Sequence, residues 1–220
     1  MFNTNRGKFC LVVGLALVMV LVALPALAQA PKAVHRDSGI RNQSRGSVLI
    51  FSNLTGPNHH KYNPDVGYYV DGANFFNQVI AQGFTPSSSV TFADAYMPMA
   101  VYTFNGGIGG GTATVYLESD AGGQPGSILD GPLTPENGIS KFPGNFVAFD
   151  CVTCPTLNAG TPYWIVGTVT DPTLELTWGL VRGITDISSG FAFNQVGSAT
   201  GPWTVVPVGY SRAAYSAEGN

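Results

Sequence analysis

The sequence predicts an all-β fold, a single antiparallel β-sandwich, on three observations. First, glycine and proline punctuate the chain densely, with 28 and 15 among 220 residues. Beyond Pro31 no run free of both exceeds eleven residues, Ser87 to Met97. A mean helix needs about 11–12 residues, so helices have little room. Second, residues 112–129 read as strand, turn, strand. Ala113, Val115 and Leu117 fall on one face, and Thr112, Thr114, Tyr116 and Glu118 on the other. That is the period-two signature of a strand with one buried face. Asp120, Gly122, Gly123 and Pro125 then supply turn chemistry before Ile128 and Leu129 return to apolar character. Third, short apolar runs recur between turn signals at roughly the 8–12-residue spacing of a sandwich. No helical crossover is visible, so the sheets should be antiparallel and one domain is the simplest account.

The elements follow in order. Residues 1–30 predict a secretory targeting segment: Arg6 and Lys8, an apolar run over 9–24, Pro25, then Ala26-Leu27-Ala28. Cleavage is expected after Ala28 or Ala30. The competing reading is an uncleaved anchor, because the apolar run nears the ~20 residues that a span requires. Residues 31–46 are polar and basic and predict a flexible lead-in, so that the folded domain covers 47–220. Residues 47–53 predict a first strand, with Val48 to Phe51 apolar throughout as in a strand buried on both faces. Residues 55–64 read as a loop holding His59 and His60. Strands are expected at 66–70 and 75–84 around an Asp71-Gly72 turn, and two more in 90–104, interrupted by Pro98. Residues 105–111 are a glycine-rich loop, and 130–144 another loop. Further strands are expected at 145–150, 163–170, 174–181, 190–194, 203–206 and 209–217. In 163–170, Tyr163, Ile165 and Val169 oppose Trp164, Val166 and Thr168; in 174–181, Leu174, Leu176, Trp178 and Leu180 share one face.

Charge narrows the function classes. Charged residues are only 10% of the chain, against ~25% in typical soluble domains. From Tyr62 onward there are three basic residues (Lys141, Arg182 and Arg212) against twelve acidic ones. That balance argues against nucleic acid, which needs a basic footprint. It permits a cation such as calcium, but the aspartates at strand ends and in loops (Asp71, Asp120, Asp130, Asp150, Asp171 and Asp186) form no twelve-residue calcium loop. Turn formation is their expected role.

Cys151-Val-Thr-Cys154 is the most specific local feature. A zinc site would need a second ligand pair, and a redox motif would open a helix after a βαβ pattern. In an exported chain the expectation is a structural disulfide between Cys151 and Cys154, which in the chain-entropy model adds roughly 2 kcal/mol for so small a loop. A catalytic triad has only His35, His59 and His60 to draw on, and no Gly-x-Ser-x-Gly turn. Glu118 and Asp120 are near in sequence, and Glu175 sits on a strand, but each has an ordinary surface or turn role available, so no glycosidase pair is assigned. The glycine run at 106–111 lacks the Lys-Ser/Thr ending of a phosphate loop. Among the aromatics, Trp178 is expected in the core, Trp164 is open between the second sheet and solvent, and Trp203, after Gly201-Pro202, is the best candidate for exposure and for ligand binding.

Several segments together resemble the bacterial exported domains called choice-of-anchor, type R. They are Val48-Leu49-Ile50-Phe51-Ser52-Asn53-Leu54, Ala81-Gln82-Gly83-Phe84-Thr85-Pro86, the unit from Val115 to Gly126, Leu157-Asn158-Ala159-Gly160-Thr161-Pro162-Tyr163-Trp164, and Trp178-Gly179. The resemblance spans roughly 47–217. It implies a jelly-roll-like sandwich at or outside the cell surface, with no catalytic residues to carry over. The Cys151/Cys154 pair is not expected from that family, and an apolar anchoring tail is not seen at 216–220. The expectation is therefore a secreted or cell-surface, non-catalytic sandwich with a matrix or binding role, its partner an extracellular glycan or envelope component. No cofactor is called for, nor any membrane contact once the leader is removed. The alternatives are an extracellular polysaccharide hydrolase and a purely structural envelope protein.

Overall fold

In the computed structural model of the protein the described residues are 33–35, 48–54, 62–101, 113–140, 144–181, 190–207 and 211–220. The predicted targeting segment with Ala28, His59 and His60, the glycine run and Asp186 lie outside them. All regular structure among the described residues is strand. In chain order the strands are β1 (Ala33–His35), β2 (Val48–Ser52), β3 (Tyr62–Asp71), β4 (Val79–Phe84), β5 (Val90–Val101), β6 (Thr114–Asp120), β7 (Pro125–Asp130) and β8 (Thr134–Pro135). They continue with β9 (Asn145–Asp150), β10 (Thr156–Leu157), β11 (Tyr163–Thr168), β12 (Glu175–Val181), β13 (Phe191–Asn194), β14 (Thr204–Val205), β15 (Arg212–Ala213) and β16 (Ser216–Gly219).

These strands build two antiparallel sheets, as the turn-punctuated sequence predicts. The larger has ten strands, with a main path β1-β3-β12-β5-β16-β2 and β8, β9, β10 and β15 pairing beside it. The smaller has six, in the order β14-β13-β4-β11-β6-β7. The longer strands alternate between the two: β3 in the larger, β4 in the smaller, β5 in the larger, the β6–β7 hairpin in the smaller, and so on through β9, β11, β12 and β13. The result is a β-sandwich. Its core lies between the sheets and takes one face of each strand, including Val115 and Leu117 from β6, Tyr163 and Ile165 from β11, and Leu176, Trp178 and Leu180 from β12. The period-two reading of these three strands assigned the same faces. Trp178 is fully buried, and its indole N–H donates to the Ala214 carbonyl at 2.7 Å.

Residues 90–101 form one strand where two were expected. Core-facing residues run Val90, Phe92, then Ala95, Met97, Met99 and Val101. The spacing changes from two to three between Phe92 and Ala95. There the pairing with β16 skips Ala93, with Glu218 opposite Asp94 and Gly219 opposite Phe92. An extra residue of this kind is a β-bulge, and it moves every later side chain to the other face. Pro98 is tolerated because of where its missing donor points. Odd residues beyond the bulge bond toward β9, as the Cys151 N–H to Ala93 carbonyl bond shows, so Pro98 turns its nitrogen the other way. On that side pairing with β16 ends at Tyr96 and pairing with β12 begins at Met99, and the absent N–H falls in the seam between the two strands.

Three expectations need correction. Val48 and Leu49 are exposed, not buried on both faces, because β2 is an edge strand of the larger sheet. The strand expected at 75–84 begins only at Val79. Residues before it form a turn in which Asn77 has φ 52° and Phe75 and Phe76 are exposed. Within the lead-in at 31–46, Ala33–His35 form a strand paired with β3, Ala33 opposite Tyr68 and His35 opposite Val66.

Candidate functional site on the outer face of the smaller sheet

The smaller sheet has a second apolar face, turned away from the core. Cross-strand register orders it in rows, and partners in register share a face. One row runs Val205, Ala192, Ala81, Val166, Tyr116. The next runs Gly83, Trp164, Glu118, Ile128. Val79, Ala81, Trp164, Val166 and Ala192 are buried together there, with Tyr116, Ala199 and Trp203 packed against them. The loop after β13 and the residue before β14 therefore cover part of this face.

Trp164 is held in place from two sides. Its indole N–H donates to Asp120 Oδ1 at 2.8 Å. At the other end its six-membered ring lies so close to Gly190 that a Cβ there would collide with it, so this position demands glycine. Asp120 Oδ2 accepts from the Gly123 N–H at 2.9 Å. The turn role expected of Asp120 is thus present, and its other oxygen orients the tryptophan.

Glu118 is the residue for which an ordinary role fails. Alternation placed it on the correct, outward face, but that face is not open water at this point. The side chain is 0% exposed, and neither carboxyl oxygen has a hydrogen-bonding partner. Burial pushes its pKa from 4.5 up to about 8. At neutral pH the group is therefore mostly an uncharged carboxylic acid, with one O–H to donate and one carbonyl to accept. A buried polar group without a partner costs about 1–3 kcal/mol.

Trp203 is half-buried rather than free. Its ring packs against the Trp164 cluster, and its indole N–H is enclosed without an acceptor. Gly201, at φ 89°, brings the backbone to where a Cβ would stand 2.8 Å from Trp203 Cδ1. Around this patch Ile128 and Val205 are exposed.

The Cys151–Cys154 disulfide lies elsewhere, closing the loop after β9. Asp130, at the end of β7, organises that loop from the opposite sheet. Its carboxylate accepts from the Val152, Thr153 and Cys154 N–H groups and from the Thr153 hydroxyl, at 3.0 to 3.3 Å. Burial alone would raise its pKa, yet the bonds from Thr153, Val152 and Cys154 outweigh that and hold it below the usual carboxylate range.

Other predicted turn aspartates behave similarly. Asp71 accepts from the Gln78 N–H at 2.7 Å, and Asp171 from the Thr173 N–H and hydroxyl. Among the described residues no group of three or more His, Cys, Asp or Glu side chains is arranged to hold a metal ion. No protein-family model matches the chain, and no curated protein is similar to it.

Proposed function

We propose that the chain is an exported, non-catalytic β-sandwich of the choice-of-anchor R kind that binds carbohydrate on the outer face of its smaller sheet. One observation carries this reading. Trp203, Trp164 and Tyr116 meet on a single sheet face with an indole N–H left over, and aromatic side chains with few polar groups are what binding surfaces offer. The leader at 1–30 supports export, and the disulfide fits an oxidising compartment.

The test is a glycan array probed with the exported protein and with Trp203→Ala. Retention of a glycan by the wild type and at least tenfold weaker retention by the variant is the expected result. No retention on any glycan favours a structural envelope role. N-terminal sequencing of the secreted protein should begin just after Ala28 or Ala30; a start at Met1 overturns cleavage.

An extracellular hydrolase is the second reading, and Glu118 is the observation in its favour. A protonated carboxyl is what a general acid requires. The carboxylate nearest along its strand, Asp120, has both oxygens engaged by Trp164 and Gly123, so it offers no free base. Release of reducing ends from a polysaccharide, abolished in Glu118→Gln, would establish the hydrolase instead.

A further inference from the structure

Between β9 and β10 the chain leaves β5 and comes straight back to it. The Cys151 N–H donates to the Ala93 carbonyl at 2.8 Å, and the Pro155 carbonyl accepts from the Phe92 N–H at 2.9 Å. Ala93 and Phe92 are neighbours, so Val152, Thr153 and Cys154 stand off the sheet without advancing along it. All three are exposed. All three turn their N–H groups onto one carboxylate, Asp130, which comes from the other sheet and is itself buried. The Thr153 hydroxyl and the Gly131 N–H complete its partners.

Two cysteines two residues apart are also the arrangement of thiol-exchange centres. Such a centre lowers the pKa of a thiolate, and converging backbone N–H groups are one means of holding an anion. In this loop those donors are already committed to Asp130. Its own negative charge also disfavours a second one on a nearby sulfur. From this arrangement we infer that Asp130 is a positioning residue that makes the Cys151–Cys154 pair a lasting closure instead of an exchange centre. It holds the loop in its bonded shape when the sulfurs are reduced, and it withholds from either thiolate the N–H groups that would stabilise it. The inference is independent of what the protein binds.

The chemistry that it opposes is reduction by a dithiol. A reductant thiolate attacks the sulfur of Cys154, the exposed partner, because Cys151 packs against the core. The Cys151–Cys154 bond breaks, a mixed disulfide forms, and Cys151 leaves as a thiolate that takes up a proton. The second thiol of the reductant, deprotonated, then displaces Cys154. Two electrons have passed from the dithiol to the protein, and the reductant closes into a cyclic disulfide. Asp130 favours the reverse direction, because a loop held at three consecutive N–H groups keeps the two thiols at high effective concentration. Clasp and disulfide therefore support each other, and the coupling is reciprocal.

The experiment is equilibration of the full protein with mixtures of reduced and oxidised dithiothreitol, with free thiols counted by mass after alkylation. Asp130→Asn and Asp130→Ala, their folding verified by thermal transitions, should be half reduced at a ratio of reduced to oxidised reagent about tenfold lower than wild type. Thr153→Val, which loses only the hydroxyl bond, should shift severalfold the same way, and it carries the test if the Asp130 variants do not fold. Leu176→Ala is the control for general destabilisation. Leu176 is a buried core residue in register with Val101, at the opposite end of β5 from Ala93, and its variant should titrate like wild type. In a Cys151→Ser/Cys154→Ser background, Asp130→Ala should lower the urea midpoint by less than it does in wild type. Unchanged ratios in the Asp130 and Thr153 variants overturn the inference. So does an equal shift in Leu176→Ala, because reducibility would then follow overall stability and not the clasp.

Discussion

Glu118 and Asp130 are both buried carboxyls, and their surroundings send them in opposite directions. Glu118 gains nothing from ionising, because no donor faces it. Its folded pKa stands above its unfolded one, so the stability linked to it is complete in acid, below the unfolded pKa. That stability is lost as pH rises through about 8. Glu118→Gln should remove this dependence. Urea unfolding at pH 5 and pH 9 should show the variant more stable than wild type at pH 9 by about 3 kcal/mol, with a much smaller difference at pH 5. Asp130 is the reverse case. With its folded pKa depressed, its contribution is present above the ordinary carboxylate range and disappears as pH falls through the lowered value. Asp130→Ala strands three backbone N–H groups of the disulfide loop. It should cost about 3 kcal/mol in denaturant unfolding near pH 7, and the difference from wild type should shrink at pH 2.

Strands whose alternation is unbroken could be read from the residues alone. In β6 and β12 the core-facing apolar residues recur every second position; in β11 the apolar run from Tyr163 to Val166 is unbroken, and alternation sorted it into its two faces without saying which one is the core's. Leu117, wholly buried on β6, tests the consequence: Leu117→Ala should destabilise by about 3 kcal/mol in thermal or chemical unfolding. Where the reading failed, a physical cause can be named. In β5 the bulge at Ala93 breaks the period, and Pro98 imitates a chain break because its tolerance depends on which neighbour its nitrogen faces. In β2 an unbroken apolar run imitates a central strand, while sheet order puts it at an edge. The candidate site was legible only in part. The outward face of β6 was legible, and with it Glu118 and Tyr116; for β11 alternation grouped Trp164 with Val166 but left open whether they faced the second sheet or solvent. That β6 and β11 lie side by side, with β13 two and β14 three strands beyond β11 to bring Trp203 over the same face, is a property of pairing between distant segments. No local pattern encodes it.

At the scale of the molecule, sequence order and spatial order are almost unrelated. The chain passes back and forth between layers, and partners within a layer come from far apart: β3 pairs with β12, and β4 with both β11 and β13. The extreme case is β16. Formed by Ser216–Gly219, it sits inside the larger sheet, between β5 and β2, with Ala217 in the core. Until β16 is in place, β2 lacks its partner in the sheet and that edge of β5 stays open to other chains. A product stopped after Tyr215 should show no cooperative melting transition and should aggregate on refolding, whereas the full chain refolds. The larger sheet is thus stitched shut by its most distant pair of segments, 48–52 and 216–219, and its cooperativity hangs on their meeting.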